Sequence, residues 1–251
     1  MFNPRQLITL TTDFGINDPS VGIMKGVILG INPNATIIDI SHQIPAQNIM
    51  AGSFLFESAR PYFPKNTIHV TVVDPGVGTN RRSIAVVSPD AFFVCPDNGI
   101  LTHCYNNSGF PYSDDGSKGT KEIKLPSGWR AFHLNNPEFW KNPPSDTFHG
   151  RDIFAPVAAY ISSGLPIDRM GTEIYSVTIL PLPTVESNGA ELTGNILHID
   201  NFGNLITNIP AIALGERHLG LLIKVGDRLI QGLSNSYLDG ADLIAVIGSH
   251  G

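Results

Sequence analysis

The chain has 251 residues, 42% of them apolar and 15% charged, with a formal net charge of -6. That length allows one large domain or two modest ones around a sizeable core. The acidic balance argues against nucleic acid, which needs a basic patch, and no apolar run approaches the ~18 residues of a membrane span.

The N-terminus, MFNPRQLITLTT, has no apolar core followed by small residues, so no signal peptide is expected. Cys95 and Cys104 make no disulfide framework and fit a reducing cytoplasm as small buried side chains. Histidines, cysteines and carboxylates do not fall at zinc-finger spacings.

LITLTTDF, 7 to 14, reads as a buried strand ending at Asp13. Asp18-Pro19 then looks like a helix cap followed by proline at the first helical position. Met24, Val27, Ile28 and Ile31 follow at helical spacing. ATIIDIS, 35 to 41, is a second strand, and a helix is expected over 47 to 60. IHVTVV, 68 to 73, is a third strand, with SIAVVS and AFFVC as shorter ones after it. PDNG is a turn, ILTHCY has helical character, and DIFAPVAAYISS, 152 to 163, reads as a helix with Pro156 tolerated in its first turn. The polar stretch 106 to 146 reads as a long loop, either functional or mobile.

Strands alternating with helices predict an α/β domain with a largely parallel sheet, residues 1–183. The texture changes near PLPTVESNG, 181 to 189. Beyond it come the short β-like runs GNILHI, NLITNI, LLIKV and LIAVI, with one helical pattern near 210 to 217. A small all-β domain is expected over 184–251.

Asp13, Ser41-His42 and Asp74 all fall just past strand ends, the edge where open α/β sheets bind ligands. Any one of them alone would more simply cap a turn. In TVVDPGVGTNRRSI, 71 to 84, Asp74 has two nearby cations, Arg81 and Arg82, and a structural ion pair is the plain reading. Gly76 and Gly78 leave bare backbone beside the carboxylate, for a ligand's approach or only for the turn. His149 lies where a loop meets a helix, and Asp152 suits that helix's first turn. In IDNFGNLITNI, 199 to 209, Phe202 is flanked by Asp200 and Asn204, which suits either a flat heterocycle with polar edges or a tight turn.

Seven motifs occur in order: TTDFG, MKG, DISHQIP, VVDPGVGTNRR, PDNGILT, TFHGRDIFAPVAA and IDNFGNLITNI. Together they resemble the S-adenosyl-L-methionine (SAM) hydrolases, also called SAM hydroxide adenosyltransferases, relatives of the fluorinase and chlorinase enzymes. The resemblance runs from residue 7 to about 250 and implies a C-terminal domain that is β-barrel-like. It further implies a homotrimer with active sites between subunits, SAM as substrate, and adenosine and L-methionine as products. No cofactor or metal is implied. By motif, Asp74, Arg81 and His149 match the triad that orients and activates water. Asp13 matches the carboxylate on the ribose hydroxyls. Asp200 and Asn204 match positions at the methionine end and adenine edge, and Phe202 and Tyr237 match aromatics on the adenine ring.

Three other readings stand beside hydrolysis. Family members normally continue past a glycine turn like IGSHG with a strand and an Asn/Ala-rich loop, which motivates a nucleoside-binding protein with lost or weak catalysis. A halogenase is disfavoured, because those enzymes carry tyrosine at the position of Asp74, serine at that of Gly150, and an insertion where only Pro89-Asp90 stands here. A metal-dependent hydrolase would use Asp13, His42, Asp74 and His149.

Overall fold

A computed structural model describes residues 4–109, 119–189, 191–215, 220–238 and 243–249. The chain divides into two compact units, Met1–Leu182 and Pro183–Gly251.

The first unit alternates strands and helices: β1 (Leu7–Thr12), α1 (Ser20–Ile31), β2 (Thr36–Ser41), α2 (Ile49–Ala59), β3 (Thr67–Val72), β4 (Ser83–Val87), β5 (Ala91–Pro96) and α3 (Thr102–Asn107). Then come β6 (Lys121–Lys124), β7 (Arg130–His133), α4 (Ala155–Ser162), β8 (Thr172–Ile174) and β9 (Ser176–Ile179). Seven strands form one sheet in the order β2-β1-β3-β5-β4-β7-β8. The first four are mutually parallel, β4 is antiparallel to both of its neighbours, and β8 is antiparallel to β7. Five of the seven strands therefore run one way, which makes the sheet largely parallel.

Side chains alternating along the strands feed two cores, as the pleat requires. Ile8, Leu10, Val70 and Val94 face Met24 and Ile28 of α1 and Val157 and Ile161 of α4. Ile84, Val86, Phe93 and Cys95 face Phe56 of α2 and Cys104 and Tyr105 of α3. With both faces covered, β3, β4 and β5 are buried along their whole lengths, which accounts for their continuous apolar runs. Cys95 and Cys104 are free and buried.

Two local expectations change. Asp18 does not cap α1; Pro19 occupies the cap position, without a side-chain cap bond. The stretch 106 to 146 is not one loop. It carries β6, which pairs with β9, and β7, which sits inside the main sheet between β4 and β8. KEIK and RAFH are four residues each, too short for a period to show. Their partners lie roughly 40 to 60 residues away, so pairing, not local pattern, makes them strands.

Among its described residues the second unit is antiparallel β, in three two-stranded ladders. These pair β10 (Glu186–Asn188) with β11 (Glu191–Thr193), β12 (Ile196–Ile199) with β13 (Leu205–Thr207), and β14 (Leu222–Val225) with β15 (Arg228–Gln231). A single helical turn, α5 (Ala211–Leu214), lies between the last two ladders; residues 216 and 217 of the expected helix lie outside the described residues. PLPTVESNG is partly strand, since β10 begins inside it. LIAVI, 243 to 247, joins no strand, although Ser234 N–H donates to the Ala245 carbonyl at 2.7 Å.

Candidate active site

β1, β2 and β3 run in parallel, so their carboxyl ends share one edge. Thr12 pairs with Val72, and Thr11 with Ser41. Asp13, His42 and Asp74 consequently emerge from neighbouring strand ends.

Asp74 meets Arg81 across the turn that Gly76 and Gly78 build. Arg81 Nε donates to Asp74 Oδ1 at 2.8 Å, and Arg81 Nη2 donates to Asp74 Oδ2. This is the bidentate fork that suits guanidinium and carboxylate. The two side chains are only 10% and 6% exposed. Arg81 Nη1 reaches Ser83 Oγ at 2.7 Å, and the guanidinium lies 5.4 Å from the Phe154 ring centre.

Arg81 Nη2 is also 2.8 Å from His149 Nδ1. Arginine can only donate, so Nδ1 accepts and the neutral imidazole carries its proton on Nε2. Burial and then the Arg81 charge hold the ring's pKa below its ordinary value. His149 is therefore neutral at pH 7, with its Nε2–H free of the arginine. Asp74, Arg81 and His149 form one continuous hydrogen-bonded chain, drawn from two loops 68 residues apart.

A π turn, Gly150–Phe154, follows His149, closed by the Ala155 N–H on the Gly150 carbonyl. Such turns recur at functional sites. Pro156 stands second in α4, where its missing N–H costs little.

Of the two glycines in the loop between Asp74 and Arg81, Gly78 serves the protein's own packing. Gly78 has φ +76°, and a Cβ there would lie 2.4 Å from the Asp146 carbonyl oxygen. Its bare backbone is used by the 145–149 loop, not left open for a ligand. Arg82 points elsewhere. Its Nε donates to Asp97 Oδ2 at 2.7 Å and its Nη2 to Glu122 Oε1 at 3.0 Å, tying the start of β4 to β6.

Asp13 lies outside this chain, with Oδ2 accepting the Gln47 N–H at 2.8 Å. Gln47 holds φ at +63°, rare for a residue with a side chain. A cavity of about 550 Å³ opens beside it, lined in part by Gln47, Asn48, Met50 and Leu180; it does not reach the triad. His42 is committed to its own neighbours, with Nδ1 2.9 Å from Thr12 Oγ1 and Nε2 3.1 Å from Asp39 Oδ1. Asp13, His42, Asp74 and His149 therefore do not converge as metal ligands. Among the described residues no three His, Cys, Asp or Glu side chains do.

The remaining expected residues lie in the second unit. Asp200 Oδ1 accepts the N–H groups of Phe202 and Asn204, both at 2.9 Å, and Oδ2 accepts the Asn204 amide at 2.7 Å. The Asn204 amide foremost holds the Asp200 carboxyl below its ordinary range. The same side chains thus build the turn and display the aromatic: the Phe202 ring is 91% exposed. Tyr237 is exposed as well. What sequence reading missed is Ser83 beneath Arg81 and Asp152 behind His149; Asp152 carried a signal only as a helix-start acid.

The family profile for the SAM hydroxide adenosyltransferase N-terminal domain matches residues 8–171, and that for the C-terminal domain matches residues 194–251. The chain belongs to the SAM hydroxide adenosyltransferase family. A protein of Salinispora arenicola named (R)-S-adenosyl-L-methionine hydrolase is 36% identical, over 95% of this chain and 88% of its own. One of the same name from Thermus thermophilus is 32% identical, over 96% and 91%. Fluorinases match more distantly, at 25–26% identity. A crystal structure of an uncharacterised conserved protein from Thermotoga maritima superposes with a TM-score of 0.81 at 34% identity, over 93% of this chain and 85% of that one. No described helix is long and apolar enough to cross a membrane.

Proposed function

We propose that this protein is an enzyme that hydrolyses S-adenosyl-L-methionine to adenosine and L-methionine. The carrying observation is the Asp74–Arg81–His149 chain, in a family whose curated relatives bear the hydrolase name. Water attacks ribose C5′, the new O–C5′ bond forms, and the C5′–S pair returns to sulfur. A neutral thioether leaves, so the leaving group needs neither an acid nor a metal. The water's proton is the one to be moved. Asp74 keeps lone pairs to accept it, and Arg81 stabilises hydroxide character on the oxygen. His149, its Nδ1 engaged by Arg81, offers Nε2–H to orient that oxygen.

Asp13 holds the ribose hydroxyls, two acceptor oxygens suiting two donors. Asp200 and Asn204 hold the methionine end and adenine edge, and Phe202 and Tyr237 pack on the adenine. The protein acts as a cytoplasmic homotrimer with sites between subunits. Supporting that, no described residue of the second unit beyond 183 is buried, yet ten large apolar side chains there are exposed, Leu238 and Phe202 most of all.

Incubation with SAM in ¹⁸O-water, with chloride and EDTA present, tests the reading by product mass spectrometry. The expected products are adenosine labelled at its 5′ oxygen and methionine. 5′-Chloro-5′-deoxyadenosine would make the protein a halogenase. Intact SAM with bound adenosine would make it a nucleoside-binding protein, and loss of activity to EDTA would bring back a metal.

A further inference from the structure

Three residues after His149 stands a carboxylate that hydrogen-bonds to no member of the triad. Asp152 is fully buried, yet its charge is kept. Oδ1 accepts Arg151 Nε at 2.6 Å, and Oδ2 accepts Arg151 Nη2 and the Ser145 backbone N–H, both at 2.8 Å. Its own N–H donates to the Phe148 carbonyl at 3.1 Å, and its carbonyl accepts the Lys141 N–H at 2.8 Å. One residue therefore clamps both ends of the segment 145–148. That segment carries Asp146, whose carbonyl receives Gly78 of the Asp74 loop, and it delivers His149 to Arg81.

We propose that Asp152 is a positioning residue for the reaction, fixing the 145–149 loop so that His149 Nδ1 stays on Arg81. A carboxylate bonded to a backbone N–H and to a guanidinium is strong enough for the task, because charge-assisted hydrogen bonds are the strong ones. The π turn places Asp152 three residues after His149, so the clamp and the imidazole share one rigid corner. The same charge reaches the imidazole through space. Burial and then Arg81 oppose its protonated form, while Asp74 foremost, then Asp152 and Asp146, favour it. Arg151 partly neutralises Asp152 from the solvent side. This inference rests on the hydrolase reading for its kinetics, not for its electrostatics.

The experiment pairs two variants of the full chain, Asp152→Asn and Arg151→Gln, and follows the His149 imidazole by NMR titration without substrate. Both variants are expected to raise the His149 midpoint: Asp152→Asn by releasing the ring from burial and from Arg81, the two largest causes of its depression, and Arg151→Gln by leaving the Asp152 charge unneutralised. In Asp152→Asn, kcat for SAM should fall ~100-fold with KM little changed, the scale of a misplacement of about an ångström, and the acid limb of the kcat/KM profile should move with the titration. Unchanged midpoints in both variants would overturn the proposal, as would a kcat loss that only tracks the unfolded fraction. If Asp152→Asn does not fold, Asp152→Glu, which keeps the charge but displaces the carboxylate from the Ser145 N–H, takes its place, and an unchanged midpoint there refutes the idea. Wild-type protein that leaves SAM intact would sink the hydrolase reading, while the titration still decides the role of Asp152.

Discussion

Replacing Asp74 by asparagine separates a structural ion pair from a catalytic one. The substitution keeps the shape, removes the charge, and turns one acceptor oxygen into a donor facing an arginine N–H. Both partners are nearly buried. Orphaning one member of a buried pair costs ~3–5 kcal/mol. Arg81 keeps Ser83 Oγ and His149 Nδ1 as partners, which points to the lower end, about 3 kcal/mol. At ~2–4 °C per kcal/mol for a protein of this size, the melting temperature should drop by about 6–12 °C. If Asp74 also serves the attacking water, kcat should fall by ~10²–10⁴, the usual range for losing a general base, with KM within a few-fold. Calorimetry gives the first quantity, and adenosine release at least 15 °C below the variant's midpoint gives the second. A melting shift of the calculated size with full turnover per folded molecule would refute the catalytic role. An unchanged midpoint would refute the energetic argument about the pair.

Arg82→Gln is the neighbouring control. It strips the cation from Asp97, which is 2% exposed, and should cost ~1–3 kcal/mol while turnover per folded molecule stays at the wild-type level; a large loss of turnover would mean the two arginines have been assigned the wrong way round. Acid should weaken the fold before the carboxylates titrate. Burial pushes His69 down to about 3 and His103 down to about 4, so the unfolded chain binds more protons below its ordinary value near 6.5. Stability is then fully present at pH 7 and is lost as pH falls through that window, by up to ~1.4 kcal/mol per pH unit for each histidine. Urea unfolding at pH 7, 6 and 5 checks this, and a flat profile would show that both rings reach solvent. Phe202→Ala should leave the melting temperature within ~1 °C, since the ring is 91% exposed, but weaken adenosine binding roughly tenfold if the base stacks there; equal dissociation constants would remove Phe202 from the site.

Much of the first unit was legible because its signals are local. Apolar runs ending on Asp13, Ser41 and Asp74 announced parallel strands, the second of them left half-exposed at the sheet edge, and helical spacing of Met24, Val27, Ile28 and Ile31 announced α1. The two four-residue strands β6 and β7 were not legible, since a strand that short takes its identity from a distant partner. LIAVI shows the converse: a β-like composition joins no strand when no ladder receives it.

The candidate site divides along the same line. Sequence by itself determined which chemical groups were available, and that Asp74 stood at a strand end beside two arginines. The motif match had already assigned Arg81 rather than Arg82 to Asp74, and the tertiary structure supplied the contacts behind that choice: Arg81 turns to Asp74 and His149, and Arg82 turns to Asp97 and Glu122. The tertiary structure alone showed that Gly78 is bare because Asp146 presses on it, and that His149 must accept a hydrogen bond at Nδ1. The physical reason is that a side chain's type is a local property, whereas its partner, its tautomer and its charge state depend on atoms brought within 3 Å by the folding of distant segments.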